Sequence, residues 1–586
     1  MQATTLTVPS GDINLSVKQY GQPSGKKTKP VIVLVHGYPD SSAIWDNVIP
    51  FLVKQYQVVT YDVRGAGASD VPKKISDYQL SFLMQDLHAV IDAVSPDQPV
   101  HLVGHDWGSI QSWESVTEPG AEKRIASYTT ISGPCLDHVG YWFRERFGSA
   151  SPAEITAAAG QLLHSWYIFL FQLPWVAPKM WQLGLGKAWP KLLENIEGIS
   201  AEVNPTQTAD GVLGVNLYRA NMMQRVLRPR RRVAQVPVQM VVAQKDNFVT
   251  PQLLSELSHW TPKLWRREAN VTHWLQHSHP EQLAQWIGEF VDHIDGAPAS
   301  PTLQRAYVSE TANEKCGDFA RKLVVVTGAG SGIGRETALA FAAEGAEVLC
   351  VDINEAAANE TVTMLPHGQG HALTVDVSNS RAMETFAKTV LRDYGVPDVV
   401  INNAGIGMAG GFLDTSVKDW QKVLGVNVWG VIHGCRLFAQ QMIDAGKRGH
   451  IVNTASAAAF TPSRAYPAYA TSKSAVLMLS DCLQAELADQ GIGVTAVCPG
   501  VIDTGITLAT HFVGVDEQEQ DKKRKATKGI YQKRAYTPDR VALAIVNAVR
   551  ENKPLAIVSP EAHGLRLLSR FAPGIMRRMA RVEVAP

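Results

Sequence analysis

The sequence has no surplus of charge of either sign. Lys plus Arg and Asp plus Glu stand at 55 each in 586 residues, so no basic face or high pI marks a nucleic-acid footprint. Cysteine is scarce. Cys135, Cys316, Cys350, Cys435, Cys482 and Cys498 are widely scattered, with no CxxC and no metal-ligand spacing. The expectation is reduced thiols in a cytoplasmic protein and no metal site. No apolar run approaches the roughly 20 residues that a membrane span needs. The opening MQATTLTVPSGDINLSV lacks the basic and apolar regions of a signal peptide. No solenoid-type repeat is present. What remains is a globular composition, 45% hydrophobic and 19% charged. A single core stops growing near about 250–300 residues, so this length predicts two large domains.

Both halves share a local grammar of apolar β-branched run, glycine-rich turn and helical pattern. The first half has VIVLVHGYP, YQVVTYD, VHLVGHDWG and VPVQMVVAQKD. The second has KLVVVTGAGSGIG, AEVLCVD, PDVVINNAG, GHIVNTAS and GVTAVCPG. Short apolar strands alternating with helical patterns predict α/β domains with parallel sheets and crossover helices. The predicted division is a first domain over 1–295, a linker over 296–317 rich in Pro, Ala, Ser and polar residues, and a second domain over 318–586. From about 135 to 232 strand signals vanish, and Trp, Tyr, Phe and Leu recur at helical spacing. This predicts a helical cap inserted into the first domain.

Gly104-His105-Asp106-Trp107-Gly108 follows an apolar strand and precedes a helical pattern. This is the G-x-nucleophile-x-G elbow with Asp at its centre. Asp246 ends a later strand and His273 lies in NVTHW, which gives the chain order nucleophile, acid, histidine. The turn at His36-Gly37-Tyr38-Pro39 can supply a backbone N–H at Tyr38 to an oxyanion hole, with a second from Trp107. An Asp after a strand is most often a helix cap and a lone His most often satisfied polar structure; order, spacing and context together outweigh those readings.

The motifs HGYP, GHDWG, KDNFVTP and VTHW resemble the epoxide hydrolase branch of the α/β-hydrolases over roughly residues 5 to 295. The resemblance implies that Asp106 attacks an epoxide carbon to form an ester, and that His273, oriented by Asp246, activates water to hydrolyse it. It also implies two cap tyrosines as donors to the epoxide oxygen, matched by Tyr167 and Tyr218. Haloalkane dehalogenases are the competing resemblance, since they share the Asp and the adjacent Trp, which binds halide. Tyr38 and two cap phenols favour the epoxide. Simple ester hydrolysis is disfavoured, because carboxylate attack would give an anhydride.

Thr327 to Gly334 joins a strand to a helical pattern, and Gly328, Ser331, Gly332, Ile333 and Gly334 form a turn that a pyrophosphate can approach closely. Asp352 ends the next strand at the spacing of a ribose ligand. It would repel a 2′-phosphate, which favours NAD over NADP. Tyr469 and Lys473 form YxxxK, whose i, i+4 spacing puts both on one helix face. The lysine cation favours the tyrosinate. Ser456 ends a strand thirteen positions earlier. These features, with INNAG, Asn427 in VNVWG and CPGVIDT, resemble the short-chain dehydrogenases over roughly residues 318 to 560.

That resemblance implies a Rossmann-type fold with Tyr469 as acid/base, Ser456 orienting the substrate oxygen and Lys473 on the nicotinamide ribose. Asn427 would hold a relay water, Asp376 and Val377 would face adenine, and Asn403, Ala404 and Gly405 would line the cofactor cleft with Pro499 and Gly500. Thr504 would meet the carboxamide. It also implies self-association through the helices around Asn427 and Tyr469. The joined architecture resembles the bacterial EphD-like fusions of an epoxide hydrolase with a short-chain dehydrogenase/reductase, and implies small, lipophilic substrates. Two features stay open. One half can be a binding module whose chemistry has lapsed. The closing LRLLSRFAPGIMRRMARV sets five arginines among apolar residues, which suits an anionic membrane surface, or an oligomer or linker contact.

Overall fold

The computed structural model describes residues 3–21, 29–199, 204–308, 317–505, 510–534 and 536–581. The chain divides into two compact units, Met1–Ala312 and Asn313–Pro586.

The first unit is an α/β fold on a nine-stranded sheet. Its strands are β1 Thr4–Ser10, β2 Ile13–Tyr20, β3 Val31–Val35, β4 Gln57–Tyr61, β5 Val100–His105, β6 Ile125–Ile131, β7 Val238–Ala243, β8 Leu264–Ala269 and β9 Tyr307–Val308. They lie in the order β1-β2-β4-β3-β5-β6-β7-β8-β9. The inner strands are parallel and largely buried. All five residues of β3 are buried, as a strand covered on both faces requires. At the antiparallel edge β2 alternates buried with more exposed positions. Between β6 and β7 the chain leaves the sheet for a run of helices that, among the described residues, extends from Leu136–Phe147 to Gln207–Leu227. Arginines at its end tie it down: Arg230 reaches Glu114 at 2.8 Å and Asp137 at 2.7 Å, and Arg232 reaches Glu118 at 2.7 Å.

The segment 296–317, expected to be a linker, is in part built into this unit. Ser300 caps a helix over Pro301–Ala306, its hydroxyl accepting from the Leu303 N–H. Leu303 and Ala306 pack with Trp265 and Phe290, and β9 pairs antiparallel with β8. Pro and Ser, read as linker composition, are here the N1 residue and cap of a helix. Residues 309–316 lie outside the described residues.

The second unit carries a seven-stranded, all-parallel sheet. Its strands are β10 Leu323–Thr327, β11 Glu347–Asp352, β12 Gly370–Thr374, β13 Val399–Asn402, β15 Gly449–Thr454, β16 Ile492–Pro499 and β18 Leu555–Val558, in the order β12-β11-β10-β13-β15-β16-β18. Short strands β14 Met408–Ala409 and β17 His511–Phe512 pair apart from it. The order reverses beside β10, at the switch point where doubly wound sheets bind ligands beyond the strand ends. Apolar clusters cover both faces.

Candidate active sites

At the end of β5 the backbone turns sharply. Asp106 adopts φ 50, ψ −121, a conformation that side chains rarely take and that the surroundings must enforce. The flanking glycines are needed for close approach. A Cβ on Gly108 would lie 2.2 Å from the Val35 carbonyl oxygen, and one on Gly104 would lie 2.7 Å from the Gly108 backbone. The turn lifts the Asp106 side chain to the start of the helix Trp107–Val116. There its Oδ1 accepts the Tyr38 N–H at 2.8 Å, and the carboxylate also accepts the Trp107 N–H. The two expected oxyanion donors therefore converge on one carboxylate.

Asp246 and His273 complete the group. His273 Nδ1 donates to Asp246 Oδ2 at 2.9 Å, and its Nε2 stands 3.8 Å from Asp106 Oδ2. Asp246 is held in turn by the N–H groups of Phe248 and Val249. All three side chains are buried. Burial pushes Asp106 up to about 6, against the pull of His273 and two N–H donors. Burial opposes charge on His273, but Asp246 and Asp106 outweigh it and raise the imidazole to about 9. Asp246 is held below its usual range: burial raises it, while His273 and the backbone donors prevail.

From the cap, Tyr218 packs on Trp107 with ring centroids 4.8 Å apart, and Tyr167 lies 6.0 Å from Tyr218. Burial and the nearby Asp106 raise both phenols, so each keeps its proton. Tyr38 joins the same aromatic group, but its hydroxyl donates to the Gly211 carbonyl at 3.0 Å.

Two carboxylates escaped sequence reasoning. Glu197, the last residue of a cap helix and buried, accepts the His273 N–H at 2.9 Å and the Asn247 amide at 3.2 Å. Asp40 accepts the Trp274 indole N–H at 2.9 Å, and burial pushes it up to about 7. Glu197 lies 76 positions from His273, and no motif marks it. Asp40 directly follows HGYP, so its position was the available signal.

In the second unit a cleft of about 1640 Å³ opens past the ends of β10, β11, β13, β15 and β16. Of the expected residues, Gly328, Ser331, Gly332, Ile333, Asp352, Asp376, Val377, Asn403, Ala404, Gly405, Ser456, Tyr469, Lys473, Pro499, Gly500 and Thr504 line it. Gly334 does not. A Cβ there would meet the Gly328 carbonyl oxygen at 2.0 Å, so it serves the close packing of helix against strand. Asp352 is fixed by the N–H groups of Gly330 and Asn354, each at 2.9 Å. Arg335 reaches the Gly330 carbonyl at 2.5 Å, and its charge is paired with Glu360 at 2.8 Å.

Tyr469 and Lys473 lie on the helix Pro467–Leu487, with the ammonium 5.8 Å from the phenol ring centroid. Lys473 is buried, donates to the Thr454 carbonyl at 2.8 Å, and is pushed down to about 8 by burial. Ser456 accepts the Ala458 N–H at 3.2 Å. Asn427, expected to hold a relay water, is fully buried. It does not line the cleft; its Oδ1 accepts the Ile406 N–H, and its Nδ2 donates to the Ile406 carbonyl and Ser472 Oγ. Its amide is thus committed to protein partners and braces the helix that carries Tyr469.

Among the described residues no His, Cys, Asp and Glu group could hold a metal ion, and no helix is long and apolar enough to cross a membrane.

Two family models match the chain. Residues 30–280 match the alpha/beta hydrolase fold, and residues 322–511 match short chain dehydrogenase. The protein described as probable oxidoreductase EphD from Mycobacterium tuberculosis is 42% identical over 98% of each chain. Meso-2,3-butanediol dehydrogenase from Serratia marcescens is 36% identical, over 32% of this chain and 74% of its own. Among solved structures, a short chain dehydrogenase/reductase from Burkholderia phymatum in complex with NAD is 29% identical. It has a TM-score of 0.41 and matches over 46% of this chain and 98% of its own.

Proposed function

The chain belongs to the EphD family of oxidoreductases, which join an alpha/beta hydrolase fold to a short-chain dehydrogenase, and on that footing we propose that it hydrolyses an epoxide at Asp106 and interconverts an alcohol and a ketone at Tyr469. For the first reaction the carrying observation is the carboxylate of Asp106 held by the Tyr38 and Trp107 N–H groups beneath two cap phenols. A carboxylate opens an epoxide carbon if the ring oxygen receives a proton or hydrogen bond as its bond breaks. Tyr167 and Tyr218, both protonated, supply that donor. The product is an ester of Asp106, with the former ring oxygen left as a hydroxyl.

Forming the ester removes the Asp106 charge that helps to raise His273. The imidazole then falls toward neutrality and can take a proton from water. Hydroxide attack on the ester carbonyl places the oxyanion where the Tyr38 and Trp107 N–H groups already point. The halide-releasing alternative draws on Trp107, but the Tyr38 hydroxyl is held on Gly211, and the two phenols have no task in it. His273→Gln exposed to styrene oxide should retain added mass on intact protein. Single turnover in H₂¹⁸O that leaves Asp106 unlabelled would overturn the ester route, and chloride release from 1-chlorobutane would favour the alternative.

In the second unit the residues present fit a dinucleotide. Gly328 and Gly332 take positive φ, and side chains at Gly330 or Gly332 would run into Asp352 or Thr504. The glycine loop would take the pyrophosphate at the start of the helix Gly332–Ala343. Asp352 would take the adenosine ribose, and Arg335, paired with Glu360, leaves its negative charge to oppose a 2′-phosphate. NAD is therefore preferred to NADP. A bound nicotinamide supplies or accepts hydride. Tyr469 exchanges the hydroxyl proton, Ser456 orients the substrate oxygen, and Lys473 lends positive charge to the phenolate. Calorimetric titration with NADH and NADPH tests the preference; tighter binding of NADPH would refute it.

A further inference from the structure

The closing arginine-rich segment does not leave the second unit. It forms helices Pro560–Phe571 and Pro573–Met579. The first is anchored at its start, where Glu561 Oε1 accepts the Val501 N–H at 3.0 Å. Gly500 lies beneath it, and a Cβ there would meet Glu561 Oε1 at 2.4 Å. The first helix also packs on the turn Ala457–Phe460, directly after Ser456. At the far end the Arg581 carbonyl accepts from Arg464 at 3.4 Å. The segment is thus tied to the turn that directly follows Ser456, to Arg464 and to the Gly500–Val501 turn.

Side chains of the segment line the catalytic cleft, Met576 buried, Leu565 partly buried and Met579 half exposed. Leu565, Met576 and Met579 line the same cavity as Ser456 and Tyr469. Met576 is 3% exposed, although Arg577 and Arg578 beside it are exposed. Further apolar lining comes from Met408 and Phe512, on the paired strands β14 and β17, and both are buried. Methionine is unbranched and polarisable, so such a wall adapts to flexible alkyl chains and gives little grip on a small polar molecule.

We propose that the two C-terminal helices form a wall of the dehydrogenase's substrate region, and that Leu565, Met576 and Met579 select an alcohol or ketone bearing a long unbranched apolar chain. The inference rests on the oxidoreductase reading of this cleft. It predicts that affinity climbs with chain length, by up to about four-fold for each methylene that is fully buried. The reactive carbinol sits at Tyr469 while the chain runs toward the methionines.

The test compares 2-butanol with 2-dodecanol as NAD⁺-dependent substrates, and 2-butanone with 2-dodecanone as calorimetric ligands of the NADH complex. The protein is the full chain and its Leu565→Asn/Met579→Asn variant, which leaves the buried Met576 in place. The full chain should prefer 2-dodecanol in kcat/KM, and the variant should lower the 2-dodecanol to 2-butanol ratio at least ten-fold. Binding of 2-dodecanone should weaken by a similar factor. If no alcohol turns over but 2-dodecanone binding weakens in the variant, the oxidoreductase reading fails and the wall stands. An unchanged ratio in a folded variant, or 2-dodecanone binding no tighter than 2-butanone in the full chain, would overturn the proposal.

Discussion

Asp106 combines two demands that conflict. On the proposed ester route it must be ionised to attack, yet it is buried, and burial lifts it from 3.8 to about 6. A folded-state value above the unfolded one means that its ionised form costs stability at neutral pH, and that the cost disappears once both states are protonated. Asp106→Asn keeps an oxygen for the Tyr38 N–H and removes the charge. It should therefore raise unfolding stability at pH 7.5 by on the order of 1–3 kcal/mol, with the gain fading toward pH 4. Urea unfolding of both proteins at the two pH values checks this; a loss of stability at pH 7.5 would contradict it. Glu197 gives a second residue-scale expectation. Its charge favours the imidazolium of His273, so Glu197→Gln should move the acid limb of ester hydrolysis, which needs neutral His273, to lower pH by about half a unit. Pre-steady-state rates across pH 5–9 give the answer, and an unmoved limb in a folded variant removes Glu197 from this role. The contrast with the triad is instructive. Asp106, Asp246 and His273 were legible because the chemistry demands their type at strand ends in a given order. Glu197 acts through a backbone N–H from a distant helix, and any acceptor of the right reach could fill that place.

Among the elements, the parallel strands were the easiest to read, because a strand covered on both faces is mostly apolar and β-branched. The cap was visible chiefly as the loss of that pattern. Its attachment was not visible, since arginines at the end of a helical run look like an ordinary solvated face. In the fold they meet Glu114, on the helix that follows Asp106, and Asp137, on the first cap helix. Both carboxylates are buried while Arg230 is partly open to solvent. Arg230→Ala should cost about 2 kcal/mol, below the full value for a buried pair because Arg232 still reaches Glu114. Arg230→Lys should recover only part, since an ammonium cannot reproduce the two-pronged contact. Urea denaturation measures both, and an alanine variant as stable as the parent would show that the cluster does not hold the cap. What the motif did not disclose about Asn427 is its structural load: a buried amide in a π-helical turn, Gly425–Trp429, must satisfy its own donors and acceptor.

For the whole molecule, two candidate sites lie on one chain. Epoxide opening yields a vicinal diol, and a diol carries the secondary alcohol that a short-chain dehydrogenase oxidises. Covalent linkage raises the local concentration of that product without requiring a tunnel. With one epoxide and NAD⁺, NADH should form on the intact chain but not on Asp106→Asn or Tyr469→Phe alone, and a mixture of the two should recover it more slowly. If purified diols of every accepted epoxide fail to reduce NAD⁺, the sites serve separate pathways.

The strand β9 carries a consequence for anyone who would dissect this chain. It covers the outer edge of β8 at Leu264 and Trp265, and the short helix before it shelters Trp265 and Phe290. A cut at residue 295, where composition suggests a natural break, would bare a hydrogen-bonding edge and an aromatic patch together, a combination that invites fibre-like self-pairing. A fragment of 1–308 should elute from gel filtration as a single sharp species, whereas 1–295 should form soluble aggregates at the same concentration. Identical profiles would mean that the guard strand is dispensable.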